Sequence, residues 1–308
     1  MSQQFEHVAL IGLGLIASSI SHAMRRAGMD ARITGYARSS TTRGKARKLG
    51  LCDKVYDSLI DTVRGADLVI LAVPVGAMGA VAKEIAPFLK EGAVITDVGS
   101  VKRSVIEAVG PKLPKTVHFV PGHPLAGTEK SGPDAGFASL FDNRWCLLTP
   151  EEGTDRKAVT KLRKYWEALG ANVDEMEPDH HDLVLMVTSH APHLIAYTMV
   201  GVADDLKRVT DTEVINYSAA GFRDFTRIAA SDPTMWRDVF LNNKDASLEI
   251  LGRFTEELFA LQRAIRIGDG DFLFDYFTRT RAVRRSIIEA GQDTDETNFG
   301  RGTTGTDT

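Results

Sequence analysis

Residues 8–17 read VALIGLGLIA: an apolar strand-like run, then Gly12-x-Gly14-x-x-Ala17, then a helix-like segment from Leu15. No other stretch restricts the fold as much. Gly12 permits the tight turn, and Gly14 lets the backbone approach a pyrophosphate. Ala17 is small enough for the helix to pack close on a sheet. A pyrophosphate would rest on the free amides of Leu15, Ile16 and Ala17 at the positive end of the helix. The structural alternative is a glycine turn made only for packing.

Strand-like and helix-like segments then alternate through the first half. His7–Ile11, Ala31–Tyr36, Leu68–Val73, Ala93–Val98, Val117–Val120 and Trp145–Thr149 read as strands. Leu15–Ala27, a polar segment through Leu49, Ala77–Leu89, Lys102–Val109 and Ala158–Leu169 read as helices. Leu68–Val73 (LVILAV) is continuously apolar, which fits a strand buried on both faces of a parallel sheet. Strand–helix alternation at this spacing gives right-handed crossovers and a doubly wound sheet. The pattern changes at Glu177-Pro178. From Asp179 to about Glu289 helical spacing dominates, as in Leu248, Leu251, Phe254, Leu258, Leu261 and Ile265. The expected organisation is a dinucleotide-binding domain over 1–177, an all-helical domain over 178–290 and a disordered tail over 291–308. The apolar content of the helical half exceeds the needs of a short bundle, so it is expected to dimerise.

The chain has 37 basic and 41 acidic side chains, so no basic excess points to nucleic acid or an anionic membrane. No uninterrupted apolar run reaches the roughly 18 residues of a membrane span. Val8–Ile20 lacks the positive leader of a signal peptide, since MSQQFEH precedes it. The expectation is a cytoplasmic protein without a membrane partner. Two cysteines, Cys52 and Cys146, exclude a disulfide scaffold or a four-cysteine zinc site and read as buried, inert thiols.

The end of the second strand reads Tyr36-Ala37-Arg38-Ser39-Ser40. It has no acid for a ribose hydroxyl. Arg38, with the Ser39 and Ser40 hydroxyls, suits a 2′-phosphate, so NADP is favoured over NAD. The alternative is a solvated Arg38. Ligands in an open α/β sheet bind beyond the carboxyl ends of the strands. Three segments fall there: Val73-Pro74-Val75, Thr96-Asp97-Val98-Gly99-Ser100-Val101-Lys102 and Gly122-His123-Pro124-Leu125-Ala126-Gly127. His123, between Gly and Pro, reads as a general base rather than a core histidine. Ser100 would orient it or bind substrate, and could also cap the following helix.

The strings GLGLIASS, VPV, TDVGSVK, GHPLAGTEKSG, SHAPH and GFRDFTRIAASDPTMWRD occur in this order. Together they closely resemble the prephenate/arogenate (cyclohexadienyl) dehydrogenases, over about Val8 to Ile288. The resemblance implies an α/β Rossmann-type doubly wound N-terminal domain followed by an all-α C-terminal dimerisation domain. It also implies a reaction: hydride leaves the carbinol carbon of a cyclohexadiene for a nicotinamide, and the ring carboxylate leaves as carbon dioxide. Prephenate would give 4-hydroxyphenylpyruvate, and arogenate would give tyrosine.

The resemblance further implies roles. His123 takes the alcohol proton and Ser100 contacts it. Thr128 and Glu129 line the substrate pocket. Arg227 grips the ring carboxylate in bidentate fashion, with Asp224 orienting it. The alternative is that Arg227 merely pairs with Asp224, three residues earlier on a helix. His190 and His193 lie near substrate, aimed inward by Pro192 at a helix start. His180 and His181 read as a solvated boundary, Trp236 reads as packing, and no metal is expected. Tyrosine, if it inhibits, would compete at the active site. Two other readings stay open: another hydroxyacid dehydrogenase with a helical second domain, and a dinucleotide sensor without turnover.

Overall fold

The structure is a computed structural model, and it describes residues 5–210 and 217–289. The expected tail from residue 291 lies outside them. Six strands form a parallel sheet: β1 (His7–Ile11), β2 (Arg32–Tyr36), β3 (Lys54–Val55), β4 (Leu68–Leu71), β5 (Val94–Asp97) and β6 (His118–Phe119). Their order is β3-β2-β1-β4-β5-β6. The crossovers carry α1 (Leu15–Arg26), α2 (Ser40–Lys48), α3 (Leu59–Val63), α4 (Val75–Ile85) and α5 (Arg103–Val109). Alternate residues of β1 and β4 serve opposite faces. Val8, Leu10, Leu68 and Ile70 join the core under α1. Ala9, Ile11, Val69 and Leu71 join a second core with Met78, Ala82, Ile85 and Val105. Burial on both faces is why LVILAV reads as an unbroken apolar run.

The strand order reverses between β1 and β4, whose ends Ile11 and Leu71 are in register. The crevice of such a sheet opens above this pair. Trp145–Thr149 was expected in the same sheet, but Trp145–Leu148 instead forms β8 of a second sheet. That sheet has the order β7-β8-β9, with β7 (Gly122–Pro124) antiparallel and β9 (Asn172–Glu175) parallel to β8. Pro121 lacks the N–H needed to continue a central strand, so the chain leaves the main sheet after Val120. Tyr165 and Trp166 of α6 (Arg156–Ala168) are buried in the core that this small sheet shares.

From Pro178 onward every described element is helical. α7 (Pro178–Leu185) runs through a widened π-type turn, Met186–His190, into α8 (Ala191–Thr210). Pro192 is thus the second residue of α8, just inside its start as expected, and follows directly on the widened turn. It has no N–H to return to residue 188, and the widened turn absorbs the lost bond. α9 (Ala220–Thr226), a tight turn Arg227–Ala230, α10 (Pro233–Asn242), α11 (Lys244–Ile267) and α12 (Gly270–Glu289) follow. Two compact units result, one ending at Ile250 and the other beginning at Leu251. Among the described residues, one helix, Pro178–Leu206, is long and apolar enough to cross a membrane by length and composition.

Candidate active site

The glycine turn is fixed by backbone geometry. Gly12 has φ +96°, and a Cβ there would lie 2.3 Å from the Ala72 carbonyl oxygen. Its N–H donates to the Tyr36 carbonyl at 2.8 Å. Gly14 caps α1 without a side-chain hydrogen bond, and a Cβ there would meet nothing within 4 Å. The first bond inside the helix is from Ser18 N–H to Gly14. The amides of Leu15, Ile16 and Ala17, ahead of that bond, have no partner within the helix, which fits an anion held by a helix start. Val73 closes against Gly12, and Pro74 begins α4.

Arg38, Ser39 and Ser40 are exposed beyond β2. The Ser39 hydroxyl accepts from Thr42 N–H at 3.4 Å and so caps α2. Arg43 anchors this loop through the carbonyls of Ala37 and Arg38, at 2.7 and 2.9 Å. Among the described residues the Arg38 guanidinium has no protein partner. The turn and this loop together fit a dinucleotide. Burial pushes the Cys52 thiol up to about 12 and raises Cys146 as well, so both stay protonated.

The end of β5 holds the next strand in place. Asp97 and Lys102 form an ion pair with both side chains 0% exposed. Asp97 also accepts from Gly99 N–H at 2.8 Å and Gly122 N–H at 3.2 Å. Lys102 Nζ donates to the Gly122 carbonyl at 2.8 Å. Gly122 thus has both backbone groups tied to one buried pair, and His123 is the next residue. The sequence reading gave Asp97 and Lys102 no role. Two charges among Val94, Ile95, Val98 and Val101 were the available signal.

His123 is buried, 7% exposed, on β7. Its Nδ1 lies 2.9 Å from Nε2 of His181. Burial, and the nearby His181, Lys102 and His190, push its pKa well below 6.5, so it is neutral at working pH. His181 was expected in solvent, but it is fully buried, and its Nδ1 is 2.9 Å from the Asp182 carboxylate. The reason is long-range. Asp182 accepts from Lys102 N–H at 2.7 Å and Arg103 N–H at 2.9 Å, capping α5 from α7. Ser100 therefore does not cap that helix, and the partner of His123 is His181, not Ser100. Pro178, His181, Asp182 and Leu185 form the inward stripe of α7. That spacing was visible in the sequence.

His190 is fully buried, and among the described residues its ring nitrogens have no close hydrogen-bond partner; the Ser100 backbone lies beside it. Burial lowers its pKa to about 4. His193 donates from Nδ1 to the Ser189 carbonyl at 2.9 Å and stacks on Trp236, ring centroids 3.8 Å apart. Trp236 is packing, as expected, with 6% exposure in the core beside β4. Arg227 follows α9, which carries Asp224. Its Nη1 pairs across the fold with Glu129 at 3.3 Å, both side chains partly exposed. Its positive charge is felt at His193. Thr128 is exposed, and its hydroxyl accepts from Lys130 N–H at 3.2 Å. The structure thus gathers His123, His181, His190 and Ser100 at one place, and Arg227, Glu129, His193 and Trp236 at another that meets it through His190 and Trp236.

Both halves of the chain are similar to known proteins. Residues 20–175 match the family model described as prephenate dehydrogenase, nucleotide-binding domain, and residues 177–279 match prephenate dehydrogenase, dimerization domain. The chain is 45% identical to a cyclohexadienyl dehydrogenase of Zymomonas mobilis, over 92% of this chain and 96% of that protein. It is 37% identical to a prephenate dehydrogenase of Bacillus subtilis, over 93% and 77%. Among solved structures it is similar to prephenate dehydrogenase from A. aeolicus in complex with hydroxyphenyl propionate and NAD+. That match has TM-score 0.85 and 34% identity, covering 93% of this chain and all of that one. Synechocystis arogenate dehydrogenase superposes with TM-score 0.75 and 28% identity, over 91% and 99%. The chain belongs to the prephenate dehydrogenase family.

Proposed function

We propose that the protein oxidatively decarboxylates prephenate, arogenate or both in tyrosine biosynthesis, with a nicotinamide dinucleotide as hydride acceptor. The observation that carries this reading is His123, a buried neutral imidazole at the carboxyl edge of the parallel sheet. Its Nδ1 is engaged by His181, which leaves Nε2 to accept a proton. The bound nicotinamide supplies the acceptor for the hydride. His123 takes the carbinol proton as the C–H bond breaks. The ring C–C bond to the carboxylate then supplies the electrons that aromatise the ring, and carbon dioxide leaves. Arg227 releases Glu129 and holds the ring carboxylate through two parallel N–H bonds. Asp224 orients Arg227, and Ser100, His190, His193, Thr128 and Glu129 line the substrate side. Gly12, Gly14 and the amides of Leu15, Ile16 and Ala17 hold the pyrophosphate, with Val73 and Pro74 beside it. Arg38, Ser39 and Ser40 favour NADP over NAD.

The working division is 1–177 for dinucleotide and 178–290 for substrate and dimerisation. A homodimer is supported by large apolar side chains left exposed in one chain, among them Val187, Met199, Val202, Phe259 and Ile265. Burial of Val187, Met199 and Val202 against a second copy, rather than a lipid contact, accounts for the apolar helix Pro178–Leu206, whose His181 and Asp182 are bonded into the protein. We assign the protein to the cytoplasm, and tyrosine, if it inhibits, would compete with substrate at the same site. Initial rates with prephenate and arogenate, each with NADP and NAD, test the reading through the near-ultraviolet absorbance of reduced nicotinamide. Turnover with carbon dioxide release is expected, and no reduced nicotinamide with either substrate overturns it. Arg38→Ala should weaken NADP and spare NAD. Tighter binding of NAD by the unmodified protein contradicts the NADP preference.

A further inference from the structure

We infer that His181 and Asp182 are positioning residues that hold His123 as the Nδ1–H tautomer, with its lone pair on Nε2. The inference rests on the reading of His123 as the base and adds what sets its protonation geometry.

The argument starts at the carboxylate. Asp182 Oδ1 accepts from Lys102 N–H and Oδ2 from Arg103 N–H, both main-chain donors that cannot reverse. A carboxylate so engaged acts purely as an acceptor, so the 2.9 Å contact from His181 Nδ1 is an N–H donating to it. His181 is fully buried, and burial, its largest influence, favours the neutral ring. A neutral His181 protonated at Nδ1 has a bare Nε2. That atom lies 2.9 Å from His123 Nδ1, so the bond closes only when His123 carries its proton on Nδ1. The neutral His123 must then be unprotonated at Nε2. The reverse polarity would require His181 to be protonated on both nitrogens in a fully buried place.

The helix cap alone does not explain this arrangement. Capping α5 needs the Asp182 carboxylate but not a histidine beside it. The chain Asp182–His181–His123 crosses 58 residues of sequence to end on the base. It also stabilises the imidazolium formed when Nε2 takes the substrate proton, because the Nδ1–H bond strengthens as its donor becomes charged. The charged and titratable groups facing this chain are Lys102 and His190 at His123, and Lys102 and Asp97 at His181.

Two measurements test the relay. In the cofactor-bound protein labelled with nitrogen-15 in its histidines, His123 should show a protonated Nδ1 and an unprotonated Nε2 above its pKa. A protonated Nε2 in that state overturns the proposal without any substitution. His181→Leu removes the acceptor and should lower kcat by about a hundredfold, within the range of general-base catalysis, leaving the substrate KM and cofactor affinity unchanged. His181→Gln places a carbonyl oxygen near the former Nε2 and should restore much of the rate. A His181→Leu variant that folds and keeps kcat within about twofold contradicts the relay, as does a glutamine variant no faster than leucine. The base reading fails separately: it falls if His123→Asn keeps its turnover, whereas a wrong tautomer with an inactive His123→Asn sinks the relay alone.

Discussion

Replacing Lys102 with methionine removes the cation paired with Asp97 in a place that neither side chain shares with solvent. The carboxylate keeps its two amide donors, Gly99 and Gly122, but loses its charge partner. Breaking a buried pair from one side costs about 3–5 kcal/mol, because the remaining charge has no water to return to. That is a large share of a typical total of about 5–15 kcal/mol. The Gly122 carbonyl loses its donor in the same step, which loosens the strand residue before His123. Denaturant unfolding at one fixed protein concentration should show the loss, since a dimer's stability depends on concentration. Adding Asp97→Asn should recover part of it, because a neutral amide needs no counter-ion, and the two substitutions should be non-additive. A Lys102→Met protein less than about 1 kcal/mol weaker, or a double variant weaker than the sum of the singles, would refute the reasoning.

Gly12→Ala should abolish dinucleotide binding, since φ +96° and a 2.3 Å approach to a carbonyl oxygen leave no room for a methyl group; titration of the fluorescence of reduced cofactor reads this. Arg227→Ala should raise the substrate KM by about tenfold or more with kcat nearly kept, as a loss of uniform binding seen in steady-state kinetics. The acid limb of kcat/KM should lie below pH 6.5, because the base must be neutral and burial lowers the His123 pKa from its ordinary value; a limb above 6.5 contradicts the burial. Stability should follow the same direction. His123, His181, His190 and His193 all have lowered values, so the unfolded chain binds more protons below pH 6.5. Their contribution is complete above that pH and is lost as pH falls toward about 4, with about 3 kcal/mol from His190 alone, as unfolding measured across pH would show.

The parts of the fold legible in the sequence were those carried by local pattern. The strand–turn–helix at Gly12, the doubly buried β4 and the change to helix at Glu177-Pro178 are each written in neighbouring residues. β3 has two residues, and β9 reads Asn-Val-Asp-Glu on a sheet edge, so neither carries a hydrophobic alternation to find. The second sheet was missed because its pairing of β7 with β8 is decided by where Pro121 ends the first one. The candidate site divides in the same way. His123 stood out by its Gly–Pro frame, and Arg227 by its motif. His181 was misread because three adjacent polar residues, His180-His181-Asp182, look solvated, and only the helix start at Arg103, some 80 residues away, explains their burial. The Glu129 partner of Arg227, 98 residues distant, was equally out of reach of spacing.

The role assigned to one imidazole can be measured in a single preparation. In His123→Asn, cofactor affinity by titration and single-turnover hydride transfer with saturating substrate are read on the same sample. The expected result is an unchanged cofactor dissociation constant with hydride transfer slower by about 10²–10⁴-fold. Hydride transfer at the unmodified rate would contradict it.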